Sequence, residues 1–111
     1  MKLKKSKTDR GFGLIEFEDF YGAKCSVQDS SLATKAAIWL GISDPAPQIM
    51  ASDTPEGGTG WVPYKGIPDN VLLTTRMHLT QAQVKKLLPV LKYFAETGDY
   101  IANFKSNSNK K

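Results

Sequence analysis

The sequence predicts an α+β domain in which an antiparallel β-sheet of about 4–5 strands is followed by one C-terminal α-helix packed on it. Three observations predict this class: alternation of apolar and polar residues early in the chain, turn residues between the alternating segments, and a helical apolar repeat near the C-terminus. A length of 111 residues suits one compact domain with one core rather than two domains.

Positive charge is concentrated at the two ends of the chain. Residues 1–10 carry a net charge of +4 and residues 101–111 carry +3, whereas residues 11–100 sum to −3 within the overall +4. A nucleic-acid-binding domain usually carries its positive charge on a folded face, so nucleic acid is expected to contact only the tails, weakly and with strong salt dependence. We therefore predict a basic flexible N-terminal tail at 1–10, a single domain at 11–100 and a polar basic C-terminal tail at 101–111.

Residues 13–28 predict the first β-hairpin. Apolar residues alternate with acidic ones in its first strand and with polar ones in its second strand. The segment from Asp19 to Gly22 supplies the turn, because glycine readily adopts positive φ. Cys25 falls on the apolar row of the second strand, and a single cysteine excludes both an internal disulfide and a zinc site built on cysteines.

The middle of the chain is less regular. Residues 36–42, AAIWLGI, are apolar on both faces, which suits either a central strand or a short buried helix turn, and Trp39 within them is expected in the core. Residues 53–69 hold four glycines and three prolines, and a loop of this length is usually functional or disordered. Because Trp61 and Tyr64 add apolar area there, we expect a flap that packs over the core or over a ligand.

Residues 74–83, TTRMHLTQAQ, mark a change from strand to helix. Alternation up to Leu79 places Arg76 and His78 together on the polar face of a strand. Thr80 is then suited to cap a helix, with Gln83 completing a capping box. The helix is expected to run from Gln81 to about Thr97, to end at Gly98 and to bury one apolar stripe. The stripe consists of Val84, Leu87, Leu88, Leu91 and Phe94.

Several kinds of chemistry lack the residues that they need. One histidine and one cysteine do not supply a zinc or iron site, and the acidic residues lack the spacing of a calcium loop. The run EGGTGW lacks the Lys and the Ser or Thr of a Walker loop. A thiol nucleophile made of Cys25 and His78 is disfavoured, since the two point to opposite faces. We expect no catalytic residues, no metal and no cofactor.

The remaining polar and aromatic residues indicate a binding site for a small anion. Arg76 offers a planar fork of donors for phosphate or carboxylate, while His78 and serine hydroxyl groups add hydrogen bonds. Aromatic rings in the flap would stack on a base. The candidate ligand-binding residues are Ser30, Ser31, Lys35, Trp61, Tyr64, Arg76 and His78.

Each of these residues also has a purely structural interpretation. Arg76 and His78 would pair with Glu16 or Glu18 across a sheet, an interaction worth about 0.2–1 kcal/mol. Ser30 and Ser31 would cap a helical turn. The sequence leaves both interpretations open.

The run DFYGAKCSVQDSSLATKAAIWLGISDPAP, the loop ending in GWVPY and the segment NVLLTTRMHLTQAQVKKLLPVLKYFAETG together resemble a family of small, uncharacterised bacteriophage and prophage proteins. The resemblance covers about residues 14–100, and it implies no reaction because the family has no assigned activity. The matching positions are Ser30, Ser31, Leu32, Trp39, Gly41, Trp61, Pro63, Tyr64, Arg76, His78 and Gly98.

Small phage proteins often act against host defence, either by masking a host protein or by sequestering a nucleotide signal. With the residues above, this favours a non-enzymatic phage accessory protein that binds a small anionic, nucleotide-derived ligand. We expect it to be a homo-oligomer in the bacterial cytoplasm. Lack of any apolar stretch of about 20 residues argues against a membrane span. The alternatives are a protein interaction module that inhibits a host enzyme through Glu16, Glu18 and Asp19, and a small hydrolase or nuclease.

Overall fold

The computed structural model describes residues 1–105, and their α+β architecture confirms the predicted fold class. A five-stranded antiparallel sheet is accompanied by a two-stranded sheet and one C-terminal helix. The main sheet contains β1 (Lys4–Lys7), β2 (Gly13–Glu18), β3 (Lys24–Asp29), β4 (Ala37–Ile42) and β7 (Arg76–Thr80); the small sheet contains β5 (Gln48–Met50) and β6 (Trp61–Pro63); the helix, α1, spans Gln81–Thr97; and short 3-10 turns span Ala51–Asp53 and Ile101–Asn103.

The strand order of the main sheet is β1-β2-β3-β4-β7, which makes β7 an edge strand beside the apolar strand β4. The register places Trp39 of β4 directly between Gln28 of β3 and His78 of β7. Since successive side chains of a strand point to opposite faces, the sheet has two distinct faces. The polar face carries Glu16, Ser26, Gln28, Trp39, Arg76 and His78, and the apolar face carries Ile15, Phe17, Val27, Ile38, Leu40, Met77 and Leu79.

The first hairpin forms as predicted. One carboxylate oxygen of Asp19 accepts hydrogen bonds from the backbone N–H groups of Tyr21 at 2.8 Å and Ala23 at 2.9 Å. Gly22 adopts a φ of 85°, a conformation that costs glycine little. The turn therefore fixes the register of β2 against β3 by contacts within five residues.

The N-terminal segment differs from the predicted flexible tail. Lys4–Lys7 form the edge strand β1, paired antiparallel with β2, although residues 1–10 were expected to be a flexible tail. Ladder hydrogen bonds use backbone groups, so a lysine-rich segment can pair, and lysines on an edge strand discourage further pairing. At the other end, Ile101–Asn103 form a 3-10 turn, and residues 106–111 of the predicted C-terminal tail lie outside the described residues.

The ends of α1 match the capping prediction. The Thr80 hydroxyl accepts a hydrogen bond from the Gln83 N–H at 3.3 Å, and the Gln83 side chain accepts one from the Thr80 N–H at 2.9 Å. Gly98 closes the helix with a φ of 67°. Within residues 1–105, no helix has the length and apolar composition needed to cross a membrane.

The prediction that α1 buries its apolar stripe is wrong for this chain on its own. Leu88, Leu91 and Phe94 are 57%, 52% and 57% exposed, and α1 has no fully buried residue. The reason is the connection: α1 begins at the residue after β7, so no loop is present to fold the helix back over the sheet.

The opposite side of α1 is covered by the C-terminal segment. The Tyr93 hydroxyl donates a hydrogen bond of 2.7 Å to the Asp99 carboxylate, and the Tyr93 and Phe104 rings meet edge to face at 5.7 Å. Asp99 also accepts from the Tyr100 N–H and the Asn103 side-chain amide. The Tyr93 hydrogen bond, followed by those of Asn103 and Tyr100, lowers the pKa of Asp99, and the same Asp99 bond raises the pKa of Tyr93.

This segment is expected to detach from α1 in acid. Because the pKa of Asp99 is depressed in the folded chain, its stabilising contribution is present above the ordinary aspartate pKa of about 3.9 and is lost as pH falls through the lower folded value. An NMR titration should show the amide signals of Tyr100 and Asn103 moving together with a midpoint below that ordinary pKa. Asp99→Asn should remove the transition, and a midpoint at the ordinary pKa would contradict the assignment.

Candidate functional site

The candidate site is built around a stacked pair of rings on the polar face of the main sheet. Trp39 and His78 lie directly opposite each other on β4 and β7, with ring centroids 3.9 Å apart and planes within 6° of parallel. Trp39 is half-buried, whereas His78 is exposed because β7 is the edge strand. One face of the imidazole is thus held against the indole, and the other is turned toward the open edge of the sheet.

Arg76 completes the charged part of the site. Its guanidinium carbon lies 5.4 Å from the centroid of the Trp39 ring, within cation–π range, and its Nη1 donates a hydrogen bond of 3.0 Å to the Gln28 side-chain oxygen. Gln28 is on β3, two strands away from β7, so the arginine side chain crosses over β4. Gly41, the residue of β4 paired with Arg76, approaches the β7 backbone closely, because a Cβ there would lie 2.8 Å from the Arg76 Cα.

Ser30 supplies the polar end of the site. Its hydroxyl lies 2.9 Å from His78 Nε2 and also accepts a hydrogen bond from the Leu32 N–H at 3.1 Å. The backbone N–H of Ser30 donates to the Ala37 carbonyl, which anchors the start of the β3–β4 loop. The sequence-predicted residues Ser30, Arg76 and His78 are therefore brought together, and with Gln28 and Trp39 they form what we call the Trp39 cluster.

The Trp39 cluster has the chemistry to hold an anion beside an aromatic ring. A guanidinium group carries five N–H donors, and within the described residues only Gln28 takes a hydrogen bond from Arg76. The remaining donors form a fork suited to phosphate or carboxylate. The open face of His78 offers a flat surface on which a base can stack.

Ser31 and Lys35 lie next to the Trp39 cluster in sequence but are not part of it. Both are exposed in the β3–β4 loop, residues 30–36, and neither side chain has a hydrogen-bond partner among the described residues. The loop is attached to the start of the helix, because the Gln81 N–H donates to the Ala36 carbonyl at 3.1 Å.

Trp61 and Tyr64 lie on the small sheet and its continuation. Trp61 pairs with Met50 across β5 and β6 and is 64% exposed, and Tyr64 is 42% exposed with its ring close against Gly66. The predicted flap is therefore partly regular structure, held by β6. No hydrogen bond or ring contact among the described residues joins either aromatic side chain to the Trp39 cluster.

The structural alternative for Arg76 and His78, pairing with Glu16 or Glu18, does not describe this arrangement. Glu18 instead pairs with Lys24 at 3.5 Å, and Arg76 reaches Gln28. The Cys25 thiol is buried on the apolar face of the sheet, opposite to the face of His78. Within residues 1–105, no three His, Cys, Asp or Glu side chains are grouped in a way that would hold a metal ion.

Sequence reasoning missed three residues of this site. The sequence predicts Trp39 in the core because its run is apolar on both sides, and Gln28 carries no signal of its own. The pairing of β4 with both β3 and β7 is what brings the three together. The position of Gly41 two residues after a tryptophan in a strand was the one available signal, since glycine inside a strand often marks close approach of another group.

Two open surface grooves lie elsewhere on the molecule. One, of about 910 Å³, is lined by the ends of β2 and β3 and by the N-terminus, and it contains both lysine and carboxylate side chains. The other, of about 850 Å³, lies between the hairpin tip and residues 72–75. Neither groove contains a side chain of the Trp39 cluster. The mixed charges of the first groove do not favour binding of an anion. The Trp39 cluster is therefore the better candidate site.

Comparisons with protein-family models, with curated proteins and with solved structures found no match. The structure itself defines the class: an α+β chain whose sheet edge presents an arginine, a tryptophan and a histidine in mutual contact.

Proposed function

We propose that this protein is a non-enzymatic phage accessory protein that sequesters a small anionic, nucleotide-derived ligand in the cytoplasm of the bacterial host. The single observation that carries the proposal is the Arg76 guanidinium, oriented by Gln28 beside the Trp39–His78 ring stack. A fixed cation next to an open aromatic face matches a ligand that combines phosphate with a base.

The arrangement favours binding over turnover. Ser30 and His78 lie at the distance of a nucleophile and its base, yet the described residues place no carboxylate on the other imidazole nitrogen to orient the ring. The Ser30 hydroxyl is also engaged by the Leu32 N–H. A hydrolase built on the Ser30–His78 pair is the enzymatic alternative. Analysis of the ligand recovered after incubation with the protein distinguishes the two functions. Unchanged ligand supports sequestration, and converted ligand supports catalysis.

Thermal shift against cyclic dinucleotides and adenosine-diphosphate-ribose derivatives tests the proposal. A bound ligand at 100 times its Kd stabilises the folded state by about 2.7 kcal/mol, enough to raise Tm by several degrees. We expect a shift with the wild type and none with Arg76→Ala. Arg76→Lys, which keeps the charge and loses the planar fork, should give a smaller shift than the wild type.

Arg10→Ala is the matched control for loss of positive charge. Arg10 lies over the Phe12 ring at 5.6 Å, away from the Trp39 cluster, so its removal should leave the ligand-induced shift intact. The sequestration proposal is overturned for this panel if no member shifts Tm, or if Arg76→Ala and Arg10→Ala respond alike.

A second candidate is a protein interaction module that inhibits a host enzyme. Phe20 and Tyr21 at the tip of the first hairpin are 94% and 89% exposed and contact each other edge to face at 5.3 Å, next to the acidic Glu18 and Asp19. Exposed aromatic residues of this kind are common at protein interfaces. Inhibition of a host enzyme that is lost in Phe20→Ser but kept in Arg76→Ala would favour this candidate.

A further inference from the structure

The chain presents two large apolar surfaces that nothing among residues 1–105 covers. One is the apolar face of the main sheet, on which the edge residue Met77 is about half exposed. The other is the stripe on α1, whose residues fall within an arc of about 120° at 100° per residue. The stripe consists of Val84, Leu87, Leu88, Leu91 and Phe94.

The interior of a single chain is correspondingly small. Among the described residues only Cys25, Ser26 and Ala51 are buried, and none of them is a large apolar side chain. The accessible surface is 9413 Å², whereas a compact chain of this mass exposes about 6,100 Å². The radius of gyration is 18.3 Å, against about 13 Å for a compact domain of this length.

The chain's own geometry keeps these two surfaces apart. The capping box at Thr80 and Gln83 fixes the direction of α1 directly at the end of β7, and α1 contacts the main sheet chiefly at that strand. The side of α1 carrying Tyr93 is already occupied by Asp99 and Phe104. The apolar stripe lies on the opposite side and remains available.

We propose that a second copy of this chain covers both surfaces, forming a two-fold symmetric dimer in which α1 of each protomer lies on the apolar sheet face of the other. A helix layer on a sheet layer is the standard way in which an α+β domain buries its core, and each chain carries one of each. A two-fold axis repeats the helix–sheet contact, so the helix stripe and the apolar sheet face of both protomers are covered in one dimer.

The exposed surface of one chain is large enough to form such a dimer interface. The chain exposes about 3,300 Å² more than a compact chain of its mass. Permanent homodimers bury about 2,000–5,000 Å² in total, or about 1,000–2,500 Å² for each protomer, which this excess can supply. The lysines of α1 at positions 85, 86 and 92 lie outside the apolar stripe, so no lysine interrupts the apolar surface that the contact would bury.

The dimer contact uses the sheet face opposite to the Trp39 cluster. The proposal is therefore independent of ligand binding, and the two can fail separately. A protein that dimerises without binding any nucleotide would keep this inference and remove the proposed function.

Light scattering coupled to gel filtration of the full chain tests the oligomeric state. We expect a mass of about 24 kDa, twice the chain mass of 12.2 kDa. Leu91→Asp places a charge in the apolar stripe and should abolish the dimer peak, while the matched control Lys92→Asp, one position away outside the stripe, should retain it.

Because Leu91→Asp is expected to unfold as it dissociates, a second measurement uses the wild type. In an equal mixture of isotope-labelled and unlabelled protein, isotope-filtered NOEs should connect the Leu91 methyl groups of one protomer with the Met77 methyl group of the other. A monomer at micromolar concentration overturns the proposal, and so does a dimer whose filtered NOEs join no residue of α1 to the apolar sheet face.

Discussion

Gly41→Ala is expected to lower the free energy of unfolding by about 2–4 kcal/mol. Gly41 adopts a φ of 149°, which residues with a Cβ rarely adopt. A Cβ built there would lie 2.5 Å from the Thr75 carbonyl oxygen and 2.8 Å from the Arg76 Cα, so strands β4 and β7 would have to separate. Denaturant unfolding monitored by circular dichroism measures the loss as a lower midpoint at unchanged slope.

Gly13→Ala is the matched control for this prediction. Gly13 also lies in a strand, but its φ is ordinary, and the atom nearest to an added Cβ is a carboxylate oxygen of Asp29, 2.7 Å away at the end of a side chain that can move. The control should cost clearly less than Gly41→Ala. Equal losses in the two variants would show that the close approach of β4 to β7 is not what requires glycine at position 41.

Trp39→Ala is expected to weaken ligand binding by about 10–100-fold, corresponding to about 1.4–2.8 kcal/mol, while Trp61→Ala leaves it nearly unchanged. Trp39 orients His78 by stacking and lies beneath the Arg76 guanidinium, whereas Trp61 is on the small sheet. Titration calorimetry with the panel ligand that gives the largest thermal shift compares the two variants directly.

A second readout of Trp39→Ala needs no ligand. The indole ring lies 3.9 Å from the imidazole, so its ring current should shift the His78 ring proton signals upfield in the wild type. Those signals should return toward ordinary values in Trp39→Ala and stay shifted in Trp61→Ala. If binding depends on Trp61 instead, the loop of residues 53–69 supplies the stacking ring, as the sequence predicts, and Trp39 has only a structural role in the sheet.

The two proposals concern opposite faces of the main sheet: ligand binding uses the polar face, and dimer formation uses the apolar face. On one face, Arg76, Trp39 and His78 form a polar, half-open site. The other face carries apolar side chains such as Leu40 and Met77. The helix of the same chain does not pack on this face, because it begins directly after β7. Strand β7 contributes side chains to both faces and leads directly into α1.

Elements that depend on near neighbours in sequence were predicted from the sequence. The first hairpin follows from Asp19 and Gly22, and the helix boundaries follow from Thr80, Gln83 and Gly98. In each case the deciding hydrogen bond or conformation lies within four residues along the chain. Such interactions leave a recognisable pattern because the residue types must stand at a fixed spacing.

Elements that depend on distant partners were not predicted. The strand β1 carries no alternation, since its pairing with β2 uses backbone groups. Trp39 and His78 are separated by 38 intervening residues, and only the β4–β7 pairing shows that they stack. The exposure of the α1 stripe likewise depends on the direction in which the helix leaves the sheet.

The sequence by itself thus determined the α+β class, the hairpin, the caps of α1 and the presence of Arg76 and His78 on one strand face, because these follow from periodicity and local hydrogen bonding. The tertiary structure decided which side chains those two residues meet. It placed Trp39 and Gln28 beside them rather than Glu16 or Trp61, and it left the helix stripe uncovered. Strand order, and the register of strands such as β4 and β7 that no tight turn joins, are set by contacts between residues far apart in the chain.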